Sequence, residues 1–198
     1  MLDAAERLVA AKGFDSVSIR DVTGAAKANV AAVNYHFGSR EDLLALVMMH
    51  VLEPLCAERI ALLEAVGKQV SVEEAVAAFV KAPASAAARI GMETPLFYRL
   101  AGRIQCLPDE SMPAALAEAR RDVSARYLAV LSGSNSKVKA ADWAFFEAGL
   151  AQSLVAEAGS EKPAALFEDW VAFGTRALAA TTGVKKKKDD AQGFLFDL

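Results

Sequence analysis

The chain has 198 residues, 54% of them hydrophobic, and carries a formal charge of −3 with six prolines and two cysteines. It is long enough for one large domain or two small ones with a real core, and its alanine-rich, proline-poor composition favours packed helices. No run of about eighteen apolar residues occurs, which excludes a membrane-spanning helix. Asp3, Glu6 and Arg7 interrupt the start, so no apolar signal core is present and a cytoplasmic protein is expected.

The first helix is expected from about Leu2 to Lys12, with Ala5, Leu8 and Val9 on one face. Gly13 fits the position just past its end, and Phe14 can fold back toward Val9. The chain opens on this helix with no basic arm before it, either because the protein lacks one or because its natural start lies upstream. Ser18 and Asp21 have the spacing of a capping box and open a second helix, Ile19 to about Ala26, that buries Ile19, Val22 and Ala26. Lys27-Ala28 is the turn, and Asn29 can cap a third helix from Val30 to about His36. Ser39 and Asp42 repeat the capping-box spacing and open a fourth. Helices this short persist only when packed on something else.

The segments SIRDVTGAA and NVAAVNYHFGSREDLL resemble the N-terminal helix-turn-helix of TetR-type transcriptional regulators. The similarity runs over about residues 2–44, and NYHFGSREDL is its most specific part. It implies an all-α fold. A three-helix head (residues 1–46) would be joined by a long helix to a helical effector-binding and dimerisation domain (47–182), followed by a charged tail (183–198). In a helix-turn-helix the second helix enters the major groove N-terminal residues first, while the helix before it crosses the backbone. Asn29, Ala31, Ala32 and Asn34 then lie near base edges, where asparagine can bond adenine in two places and alanine leaves room for a thymine methyl. Tyr35, His36 and Arg40 fall where backbone contacts sit, a role the resemblance also implies for them. Ser18 and Lys27 complete the expected DNA-binding set. The family usually has glycine at the position of Lys27. If φ is positive there, lysine costs roughly 1 kcal/mol relative to glycine. Lys27 reads either as a tolerated turn variant or as an added phosphate contact. Charge gives no support to DNA binding: residues 1–50 hold five basic and six acidic side chains.

The fourth helix is expected from Ser39 to about Val66, with Leu43, Leu44, Val47, Met48, Val51, Leu52 and Leu55 at helical spacing. Pro54 falls inside it and should kink it, as a pivot or as a static bend. His50 reads as a core or surface histidine rather than a ligand contact. Ser71 with Glu74 opens a helix to about Lys81, and the alanine-rich stretch 82–90 reads as a separate short helix. Thr94-Pro95 starts a helix ending near Cys106, LPDESMP is a turn, and a long helix follows from about Met112 to Leu131. Cys56 and Cys106 have no metal-ligand spacing and read as buried unreactive thiols, with redox sensing as the lesser alternative.

Two apolar helices end the ordered pattern. Residues 137–156 are apolar or small almost all round, and residues 161–180 carry a broad apolar stripe. Together they suggest a four-helix homodimer interface built from Trp143, Phe145, Leu150, Phe167, Trp170 and Phe173. The lysine-rich tail reads as solvated, and its Gln192-Gly193-Phe194-Leu195-Phe196 resembles peptides that dock on the bacterial sliding clamp. Docking of the tail on its own body or its dimer partner is the commoner explanation.

Only His36 and His50 are available for histidine chemistry, and no nucleophile elbow, phosphate-cradling loop or zinc spacing occurs. An enzyme is not expected, nor a cofactor or metal. The reading is a ligand-responsive regulator, usually a repressor in this family, binding a near-palindromic operator on double-stranded DNA as a homodimer. A small-molecule effector would sit in an apolar cavity of the body, with Met48, Leu52, Phe97, Tyr98, Arg103 and Phe146 as candidate liners and Gln105 beside Arg103 for a polar end. The alternative is a helix-turn-helix protein acting through protein contacts, for example by its tail. The effector, the operator and the sign of regulation are not legible.

Overall fold

The structure, a computed structural model, describes residues 1–29, 35–67, 70–133, 138–158 and 163–180, and among them every regular element is helical. The helices are α1 (Leu2–Lys12), α2 (Ile19–Ala26), α3 (Arg40–Val66), α4 (Val72–Ile90), α5 (Thr94–Gln105), α6 (Ala114–Gly133), α7 (Ala140–Glu157) and α8 (Pro163–Ala180). A short 3-10 turn at Asp109–Ser111 lies in the LPDESMP connection. The expected third helix falls mostly outside the described residues, although residues 35–37 are helical. The tail, with its Gln192–Phe196 motif, lies wholly outside them.

The head is α1, α2 and the first turns of α3. Ala5, Val9, Val17, Val22, Leu43 and Val47 are buried together, which is what stabilises an eight-residue α2. The helix α3 then continues without a break through Pro54 into the body, where it packs against α4, α5 and α6.

The body departs from expectation at α4. Residues 72–90 form one helix with Pro83 inside it, not two. Val76, Phe79, Val80, Ala82, Ala86 and Ala87 continue one buried face across the proline. That packing, against α3 and α8 above all, outweighs the ~3 kcal/mol that an interior proline costs. A second close contact joins α5 to α7. Gly102 is buried, and a Cβ there would collide with the Ala151 carbonyl oxygen, so the two backbones touch where only glycine fits.

Several of the side chains named above belong to the core. Leu52, Phe97, Tyr98 and Phe146 are buried in contact with the main hydrophobic cluster, and burial pushes the Tyr98 hydroxyl up to about 12. Trp143 and Leu150, expected to face a partner subunit, are fully buried within their own chain. The physical reason is that α7 is enclosed by α5 and α8, and that enclosure consumes one side of its apolar surface. Phe145 (79% exposed) and Phe173 (50%) stay outside, while Phe167 and Trp170 are half-buried. Phe167 meets Tyr98 edge-on at 5.5 Å, and Trp170 meets Phe146 at 5.8 Å.

Candidate nucleic-acid interface and buried polar centre

Two capping boxes set the geometry of the head. The Ser18 N–H donates to the Asp21 carboxylate at 3.0 Å, and the Asp21 N–H donates back to the Ser18 hydroxyl at 3.2 Å. Ser39 and Asp42 repeat this, with both bonds at 3.0 Å. The serine bonds hold both carboxyls below the usual carboxylate range, with Lys12 adding to the effect on Asp21.

α2 ends at Lys27 in the left-handed conformation, φ 50° and ψ 40°, and the Ala28 N–H reaches back to the Thr23 carbonyl at 2.9 Å. This is the ending that glycine usually supplies. The turn geometry implied by the family is therefore present, with lysine in the strained position. Lys27 is exposed, as are Asn29, Tyr35 (85%) and His36, whose ring stands edge-on to Tyr35 at 5.1 Å. Ala31, Ala32 and Asn34 lie outside the described residues.

Arg40 does something other than expected. Its Nε donates to the Val17 carbonyl at 2.7 Å and its Nη2 to the Phe14 carbonyl at 2.6 Å. The guanidinium thus pins the α1–α2 loop onto the start of α3 rather than standing free for a phosphate. Among the described residues of the head, Arg20 and Lys27 are exposed cations without an ion pair, whereas Arg7 bonds Asp3 and Glu93, and Lys12 lies 3.5 Å from Asp21. Arg20 was not among the expected contacts. Its place on the outer face of the helix that crosses the backbone was the available signal.

The head is tied to the body by polar bonds. Arg103 on α5, an expected cavity liner, borders a groove of about 320 Å³ beside Phe14 and Leu107, and its Nε donates to the Ala10 carbonyl at 3.2 Å and its Nη2 to Ala11 at 3.4 Å. These are last-turn carbonyls of α1, which have no partner within their own helix. His50 Nδ1 lies 2.5 Å from Oε1 of the buried Glu6, joining α3 to α1. Met48 lines a groove of about 530 Å³ between head and body, beside Phe14, Leu44 and Met112.

The centre of the body holds a residue that sequence reading missed. Arg59, on α3, is 2% exposed. Its guanidinium carbon sits 3.6 Å from the centroid of the Phe79 ring, and its Nη1 donates to Gln105 Oε1 at 2.7 Å. Its Nε and Nη2 are buried and meet no hydrogen-bond partner among the described residues. Phe79 stands edge-on to Tyr127 (5.0 Å) and Trp143 (4.8 Å), and the Tyr127 hydroxyl donates to the Arg59 carbonyl at 2.8 Å. Burial pushes the guanidinium down from its usual value and lifts Tyr127 and Glu147 above theirs, while Arg59 and the Ser124 hydroxyl pull Glu147 back. Arginine stays protonated in proteins. A dry guanidinium costs several kcal/mol, and stacking on an aromatic face returns about 2 kcal/mol. The site is therefore short of an anion or of further acceptors. The missed signal was a lone basic residue, Arg59, within one turn of Leu55, Cys56, Leu62 and Leu63 on a long apolar helix.

With this geometry in place, comparison with known proteins gives a family match for the head and the fold of the whole. Residues 1–47 match the model described as bacterial regulatory proteins, tetR family. Similar solved structures include the TetR family transcriptional regulator PfmR from Thermus thermophilus, at 22% identity and TM-score 0.61, covering 89% of this chain and 92% of that one. A regulatory protein in the tetR family from Rhodococcus RHA1 is similar at 16% identity and TM-score 0.64, with 90% and 94% covered. The superantigen pfit shares the fold at 20% identity and TM-score 0.53, with 87% and 85% covered. Comparison with curated proteins gave no match. The chain thus carries a TetR-family N-terminal domain on the all-α fold of TetR-family transcriptional regulators. Likeness at these identities fixes the fold. No helix among the described residues is long and apolar enough to cross a membrane.

Proposed function

We propose that this protein is a DNA-binding transcriptional regulator, a repressor that works as a homodimer and releases its operator when an effector occupies the body. The observation that carries the reading is the head: a capped α2 ends in a left-handed turn at Lys27, with Asn29, Tyr35 and His36 exposed just beyond it. In this reading Asn29, Ala31, Ala32 and Asn34 face base edges, and Arg20, Lys27, Tyr35 and His36 touch the phosphate backbone. So few free cations predict a shallow dependence of affinity on salt. Phe145 and Phe173, exposed on α7 and α8, support a partner subunit on that face. A two-fold dimer calls for half-sites about one helical turn apart, ~34–36 Å, and so a near-palindromic operator.

The route from body to head runs through α5. Its last turn carries both Gln105, bonded to Arg59, and Arg103, bonded to the end of α1. A ligand that moves Gln105 acts two residues from the contact that orients the head. An effector must bind the DNA-misfitting arrangement more tightly than the fitting one.

The test is binding of the purified chain to DNA from its own upstream region across a salt series, with Asn34→Ala and Arg20→Ala alongside. Selective binding that loses sequence preference in Asn34→Ala and weakens uniformly in Arg20→Ala is the expected result. Equal binding to all DNA, or none, sinks the reading. A second reading, drawn from the tail motif Gln192–Phe196, is action by protein contact. Deleting residues 184–198 leaves operator affinity intact in the first reading and abolishes partner binding in the second.

A further inference from the structure

The effector site can be given a chemistry. Between α5, α6 and α7 lies a groove of about 450 Å³, lined by Gln105, Ser124, Leu128, Ala144 and Glu147 together with Arg120 and Asp109. That volume lies toward the low end for small-ligand sites. Gln105 separates the groove from Arg59, to which its side-chain oxygen is bonded. Arg120 is already committed to the Gln105 and Leu107 carbonyls and to Asp109, and Arg121 also bonds Asp109. Arg59 differs from both in holding two buried donors, Nε and Nη2, with no partner among the described residues.

We propose that Arg59 anchors the carboxylate of a small, otherwise apolar monoanion that enters by this groove and displaces the Gln105 amide. The inference rests on the effector-responsive reading above and names its ligand class. A guanidinium edge presents two parallel donors, the match for a planar carboxylate. The ligand carries one charge because Glu147 borders the route and Arg120 and Arg121 are both committed to Asp109, which leaves Arg59 as the cation with open donors among the described residues. Its remaining body is apolar and compact, set by Leu128, Ala125 and Ala144 along the groove. The approach is also where a signal can leave, since Gln105 and Arg103 share one turn of α5.

The test uses the full chain and four probes at millimolar concentration: benzoate and octanoate, with benzamide and octanamide as neutral matches. Thermal denaturation and calorimetric titration are expected to show saturable binding of at least one carboxylate, one per chain, and none of its amide. Arg59→Met, which replaces a buried charge by an apolar side chain of similar length, should fold and bind that carboxylate about ten- to a hundredfold more weakly. Glu147→Gln removes the competing carboxylate, leaves Arg59 in place and should tighten binding several-fold, so the proposal stays testable if Arg59→Met fails to fold. It is overturned if no carboxylate binds the wild-type chain, if amides bind equally, if Arg59→Met binds as wild type, or if Glu147→Gln leaves affinity unchanged. Operator binding is scored separately. Carboxylate binding without operator binding removes the regulator reading alone, and operator binding without carboxylate binding removes this site alone.

Discussion

The head and the body treat polar side chains in opposite ways. In the head they act close to home and near solvent: Ser18 with Asp21 and Ser39 with Asp42 close boxes across three residues, and Arg40 caps loop carbonyls at the edge of the core. In the body a charge is carried into the middle of an aromatic cluster, where Arg59 on α3, Phe79 on α4, Gln105 on α5, Tyr127 on α6 and Trp143 on α7 converge. Local polar bonds shape a surface at small cost. A buried, half-satisfied cation has a large cost. The difference separates a region whose polar groups find partners from one that holds donors without them among the described residues.

The comparison can be broken first at Phe79. Phe79→Ala removes the ring beneath Arg59 and the hub of the aromatic cluster, and should destabilise the chain by about 4 kcal/mol in urea unfolding. A loss near 0.5 kcal/mol, as at an ordinary surface site, means the centre is not a packed unit. Arg40→Met should cost less, about 2 kcal/mol, through two charge-assisted bonds to carbonyls. The loss should appear as faster amide exchange in the α1–α2 loop while the body stays protected. Uniform loss of protection would show that head and body unfold as one. Smaller still, Lys27→Gly should stabilise the head by roughly 1 kcal/mol by relieving the left-handed turn. If Lys27 also touches phosphate, operator affinity falls uniformly across sequences even as the melting temperature rises.

Acid and base sharpen the contrast with opposite signs. Asp21 and Asp42 have folded values below their unfolded ones, so their contribution is present above the ordinary carboxylate range and is lost as pH falls through the folded values. Glu147 is raised by burial, so its contribution is full when protonated and is lost as pH rises from the ordinary carboxylate value through the raised one. Glu147→Gln should therefore flatten the decline within that window, and Ser39→Ala should flatten the decline on the acid side of the ordinary carboxylate range. Melting curves across pH read both. Unchanged slopes in both variants would remove the distinction.

Much of the head was legible in the chain itself because its determinants are local. A serine followed three positions later by aspartate, a glycine after Lys12 and a turn at Lys27-Ala28 each specify backbone that the neighbouring residues satisfy alone. The helices of the body were legible from apolar spacing, except at α4. There Pro83 marked no boundary, because packing on both sides of it outweighed the lost bond. The roles of single side chains were not legible. Arg40 and Arg103 looked like donors to a ligand and proved to be clamps on carbonyls Phe14, Val17, Ala10 and Ala11, contacts that span 23 to 93 positions of sequence.

The sequence by itself determined an all-helical chain, its capped head and its TetR-type motif, since capping, turn and periodicity signals act over three to seven residues and need no distant partner. Tertiary structure decided which apolar residues are core, how α5 joins body to head, and that Arg59 rather than Arg103 lies at the centre. Burial and desolvation are properties of the assembled helices, and five of them must meet before that guanidinium is taken out of water.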